Sequence, residues 1–91
     1  MRKIFIISYS GVNSTAIEQA IKSYGSWFHV SKETYLIGAN TSAKDIRLKL
    51  DPIMLQGKDK LLILEVSIKD AQGWLQDNEW AWIKTERSRS N

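Results

Sequence analysis

The chain has 91 residues, 43% of them hydrophobic and 25% charged, with no cysteine and a formal charge of +3. That length admits a single domain, since independent cores rarely form in fewer than about 50 residues, and the composition is that of a globular chain. The lack of cysteine excludes disulfides, thiolate zinc sites and a thiol nucleophile. Its apolar runs, such as Leu61–Leu64, fall far short of the ~20 residues a membrane helix needs, and the start Met1–Ile7 is too short in apolar residues for a signal peptide. A cytoplasmic protein with no membrane association is expected. The charge is unevenly placed: Lys84, Arg87 and Arg89 against Glu86 give the last eight residues +2 of the +3, and the body is nearly neutral.

Lys3–Tyr9 is a β-rich run whose Ile4, Phe5, Ile6 and Ile7 do not alternate with polar residues, as expected of an inner strand. Ser10-Gly11 breaks it. Asn13 or Ser14 then opens a helix with capping-box spacing at Thr15-Ala16-Ile17-Glu18. Ile17, Ala20, Ile21 and Tyr24 line one face of that helix, and Gly25 ends it. Ser26–Val30 and Glu33–Ala39 read as a hairpin about Ser31-Lys32, with Trp27, His29 and Ser31 on one face. A second helix starts at Thr41 or Ser42, with Asp45 three residues after Ser42, and buries Ala43, Ile46, Leu50 and Ile53 or Met54. Pro52 loosens its end. Gln56–Asp59 is a turn. Lys60–Ile68 follows as a strand apolar on both faces and therefore interior in character, with Leu62, Leu64, Val66 and Ile68 on one side. Asp77 caps a final helix over Asn78–Thr85, which carries Trp80 and Trp82.

This order predicts an α+β fold: a ferredoxin-like βαββαβ domain with an antiparallel four-stranded sheet, two helices on one face and an appended C-terminal helix. The domain spans residues 1–84. Residues 85–91 have no apolar side chain to bury and read as a flexible polar and basic tail. Two helices cover only one sheet face, so the tryptophan-rich C-terminal segment or a second copy is expected on the other.

Lys3–Tyr9, the segment Ser23-Tyr24-Gly25-Ser26-Trp27 running into Phe28-His29, Thr34–Ile37, Leu62–Val66 and Gly73-Trp74-Leu75 with Trp80 and Trp82 carry a resemblance across about residues 3–84. They look like small bacterial and phage proteins often labelled SinR-family, within the superfamily of the VapD toxin and the CRISPR adaptation protein Cas-two. The resemblance implies a ferredoxin-like protomer that dimerises through its sheet. In nuclease-like members an aspartate follows the tyrosine that closes the first strand, and two such aspartates hold a divalent metal across the dimer. Ser10 stands at that position here. A neutral hydroxyl is a poor ligand for a hard cation.

No catalytic residue, metal site or cofactor is therefore assigned. The only histidine, His29, has no orienting acid at a suitable spacing and reads as structural. Glu65, a carboxylate in an apolar strand, reads as a charge paired across a dimer axis, and Trp74, Trp80 and Trp82 as core or dimer packing. The loop Ser8–Asn13 has too few glycines for a nucleotide-binding fingerprint, but it leads into a helix amino terminus. Its Tyr9, Ser10 and Asn13, with Lys3, Arg47, Lys49 and the basic tail, form the expected ligand surface. The expected function is a non-catalytic homodimer that contacts nucleic acid or a nucleotide, by itself or with a protein partner. The alternatives are a metal-dependent endonuclease and a phage counter-defence protein that binds a protein or a cyclic nucleotide.

Overall fold

The computed structural model describes residues 1–55 and 57–90. It contains β1 (Lys3–Ser10), α1 (Ser14–Lys22), β2 (Trp27–Ser31), β3 (Thr34–Ala39), α2 (Ala43–Leu50), a 3-10 turn (Asp51–Ile53), β4 (Lys60–Val66) and α3 (Asp77–Ser90). The strands form one sheet in the order β2-β3-β1-β4, and every neighbouring pair is antiparallel. It follows that β2 runs parallel to β1 with β3 between them, and β4 parallel to β3 with β1 between them. Each helical crossover thus skips one strand, and the two crossovers interleave.

Period-two alternation divides the sheet residues between its faces. Phe5, Ile7 and Tyr9 of β1, with Tyr35 and Ile37 of β3, join Ile17 and Ile21 of α1 and Ile46 and Leu50 of α2 in one buried cluster. Leu61 and Ile63 of β4 pack against it. Local signals set the start of α2 and the ends of both helices. Ser42 caps α2 by accepting the Asp45 N–H at 3.1 Å. Pro52 sits in the 3-10 turn that closes it. Gly25, at φ +86, takes the left-handed conformation just after α1 that a side chain would resist. The hairpin runs as expected, with a register shift between His29 and Ser31. Gln56, the first residue of the expected turn before β4, lies outside the described residues.

On the opposite face α3 covers β1, β2 and β3. Trp82 meets Phe28 edge-on, with ring centroids 5.0 Å apart, and Ile83 is buried. The stretch 85–90, expected as a frayed tail, instead forms the last turns of this helix, and only Asn91 lies outside the described residues. The reason is a charged residue. Glu86 is fully buried over Gly38 of β3. It accepts two bonds from the Arg2 guanidinium (2.7 and 3.0 Å), one from Ser26 Oγ (2.6 Å) and one from Arg89 (3.2 Å). Paired charge-assisted bonds of this kind offset the cost of taking the carboxylate out of water.

The strand from Lys60 is also placed differently from its sequence reading. It ends at Val66, and it is an edge strand, bonded on one side to β1 only. Its second apolar face is uncovered: Leu62 and Leu64 are 56% and 47% exposed.

Candidate functional site

The end of β1 is built around a tyrosine and an aspartate. Tyr9 is buried, and its hydroxyl donates to Asp59 Oδ2 (3.1 Å) while accepting the Asn13 N–H (2.9 Å). Asp59 also accepts the backbone N–H groups of Leu55 (3.1 Å) and Val12 (3.3 Å). These bonds fold the loop Ser10–Asn13 back over the start of β4. Gly11 leaves room for these bonds, because a Cβ at that position would displace the Asp59 carboxylate and the Tyr9 hydroxyl. Burial, the largest influence, pushes the Tyr9 hydroxyl above its ordinary pKa.

This loop delivers α1 with an uncapped amino terminus. Asn13 is its N-cap residue, but the Asn13 side chain donates to Ile53 O (2.9 Å) and makes no capping bond. The capping-box expectation fails at both ends. No acidic residue lies in the first turn. Glu18 points the other way, accepting the Tyr35 hydroxyl (3.3 Å) and lying near Lys22 Nζ (3.4 Å) and His29 Nδ1 (3.5 Å).

Between this helix end and the β2–β3 turn lies a cleft of about 330 Å³, lined by Tyr9, Ser10, Gly11, Ser14, Thr15, Glu18, His29, Lys32, Glu33 and Tyr35. His29 stacks on Tyr35, with centroids 4.1 Å apart and planes 11° from parallel. Its Nε2 lies 3.0 Å from the carbonyl of Lys32, which holds a proton on that nitrogen. Nδ1 faces Glu18. Toward the opening lie the first turn of α1, the hydroxyls of Ser10, Ser14 and Thr15 and the Lys32 ammonium, with the Glu33 carboxylate beside them.

Of the residues expected in a ligand surface, Tyr9 and Ser10 line this cleft and Asn13 borders it. The other three are not brought there. Lys3 is at the opposite end of β1, about 24 Å away at the ordinary strand rise, where it pairs with Glu65 (3.4 Å). Arg47 of α2 lies beside Asp51 of the 3-10 turn (3.9 Å) and lines a groove against Leu61–Ile63. Lys49 sits over the Tyr24 ring (4.3 Å) and donates to Ser23 Oγ. The basic tail is divided, because Arg89 is bound to Glu86.

The expected interface residues also separate. Trp82 packs on Phe28 of its own sheet, and Trp80 is partly buried along α3. Trp74 is wholly exposed in the segment before α3. Glu65, about half exposed, is at the open edge. Sequence reading missed Asp59, Glu18 and Glu86, since each acts through partners brought from other elements. The spacing of Asp59 ahead of a strand signalled only a turn.

Among the described residues, no group of three or more histidine, aspartate or glutamate side chains is placed to hold a metal ion. The nearest carboxylate to the end of β1, Asp59, has its oxygens committed to Tyr9 and two backbone amides. No helix among the described residues is long and apolar enough to cross a membrane. No protein-family model and no curated protein matches the chain.

Proposed function

We propose that this protein is a non-catalytic binding protein, a ferredoxin-like homodimer of the kind its resemblance to the VapD and Cas-two superfamily implies. It contacts nucleic acid or a nucleotide through phosphate groups at the cleft beside Ser10. The interleaved crossovers and the order β2-β3-β1-β4 support the ferredoxin-like assignment. The observation that carries the binding reading is the amino terminus of α1. It opens uncapped into a cleft that holds the hydroxyls of Ser10, Ser14 and Thr15 and the Lys32 ammonium, with Glu33 the carboxylate beside them, while Glu18 and Asp59 have partners within the protein. Amide and hydroxyl donors at the positive end of a helix recognise phosphate oxygens by charge and geometry, without reading bases.

The test is a salt titration with a mixed-sequence single-stranded oligonucleotide, its duplex and ATP as probes. Binding at low ionic strength that weakens as salt rises is expected for at least one of them. Thr15→Glu, which places a carboxylate in the first turn of α1, weakens it by about tenfold or more. Absence of binding by all three probes at low salt would overturn the reading. Mg²⁺-dependent cleavage of the oligonucleotide by the purified protein, lost in Asp59→Asn, would replace it with an endonuclease.

A further inference from the structure

The two edges of the sheet are unlike. β2 is short and interrupted by a register shift, a usual means of blunting an edge against unwanted pairing. β4 is the reverse: seven residues in unbroken register with β1, with the central run Leu61-Leu62-Ile63-Leu64 and no bulge or proline. Such an edge is a template for another strand. It carries a positive end at Lys60 and a negative end at Glu65, and α2 adds Lys44 and Arg47 along the groove beside Leu61, Leu62 and Ile63.

We propose that β4 pairs antiparallel with β4 of a second copy, about a two-fold axis through Ile63, so that two four-stranded sheets become one. An antiparallel pair directs facing residues to the same side, so the registers that keep both sheets continuous are few. Centred on Ile63, Leu62 faces Leu64 of the second copy and Leu64 faces its Leu62. The two exposed leucines then cover each other on the side that α3 leaves open. On the helix side, Glu65 of one copy faces Leu61 of the other. That brings its carboxylate to the groove holding Lys44 and Arg47, and the axis repeats the contact. Centred on Leu62 instead, Glu65 would face Asp59, a like-charge contact that disfavours that register. The second copy is thus selected by apolar fit on one face and by charge on the other. The proposal rests on the homodimer reading above and specifies its interface.

Because the chain has no cysteine, single cysteine variants report pairing without background. Ile63→Cys, placed on the axis, is expected to form a disulfide-linked dimer on mild oxidation, since directly facing Cα atoms in an antiparallel pair lie within disulfide range. Val30→Cys, on the other edge strand, is the control and stays unlinked. If Ile63→Cys folds poorly, an equimolar mixture of the exposed-site variants Leu62→Cys and Leu64→Cys crosslinks more than either alone. Glu65→Lys weakens the dimer about tenfold or more, and adding Lys44→Glu with Arg47→Glu restores it. A native dimer in which neither cysteine experiment crosslinks, or in which Val30→Cys does, would overturn the edge pairing and leave the homodimer standing. A monomer at micromolar concentration would overturn both.

Discussion

A single carboxylate, Glu86, decides the fate of the last third of α3. Its full burial between Arg2, Ser26 and Arg89 ties the C-terminal helix to β1 and to the start of β2. The Arg2 hydrogen bond, the largest influence, holds its pKa below the ordinary glutamate value, against the opposing effect of burial. A carboxylate with a depressed folded pKa adds stability that is complete above the unfolded value and is lost as pH falls through the folded one. Stability of the wild type should therefore start to fall as pH drops through the ordinary glutamate value and keep falling down to the lower folded one, and Glu86→Gln should remove much of that pH dependence, as read by circular dichroism melts. At neutral pH, Glu86→Ala strands Arg2 and should destabilise by about 3 kcal/mol. Gly38→Ala forces a Cβ into the same carboxylate and should cost about 1–3 kcal/mol in a denaturant titration. Both losses would be absent if α3 detached freely. At the other end of β1, Tyr9→Phe leaves Asp59 and the Asn13 amide each short of a partner. It should destabilise by about 1–2 kcal/mol and loosen the loop that presents α1, lowering ligand affinity more than a distant mutation of equal cost.

At the scale of elements, the strands and first two helices were legible because their apolar residues recur at periods of two and 3.6 and are punctuated by Gly25, Ser42 and Pro52. α3 was legible only in its first half. Residues 85–90 carry no apolar periodicity, and a buried ion pair joining residues 2 and 86 leaves no local trace. β4 was misplaced for a related reason. A strand apolar on both faces reads as interior, yet here the same pattern lies at an edge whose second face is uncovered. The cleft was half legible: Tyr9 and Ser10 were seen as a loop leading to a helix terminus. That Glu18 would turn toward Tyr35 and His29, leaving the helix uncapped, depends on the hairpin that packs beside it. Deleting residues 77–91 removes Trp82, Ile83 and Glu86 together. Apolar surface around Phe28, Ile6 and Leu36 would then face water, and the truncated chain should aggregate or bind a hydrophobic dye, where loss of a frayed tail would change little.

At the scale of the whole molecule, the formal charge of +3 is a weak guide. Several basic groups are already engaged by glutamates, Arg2 and Arg89 by Glu86 and Lys3 by Glu65. Under the proposed function, recognition of a phosphate would depend on oriented donors at one end of β1, supplemented by the field that two paired copies would present together. Pairing through β4 would bring the two Lys60 side chains into one dimer and join two nearly neutral bodies into a single extended sheet. A chain this small buries a modest share of its surface alone, so the proposed association through β4 would also add stability. The most direct measurement is native mass spectrometry of the purified protein with and without a mixed-sequence oligonucleotide at low ionic strength. The expected result is a species of twice 10.4 kDa that gains the oligonucleotide's mass and loses it as salt is raised. A 10.4 kDa monomer, or a dimer that takes up no oligonucleotide and no ATP, would contradict it.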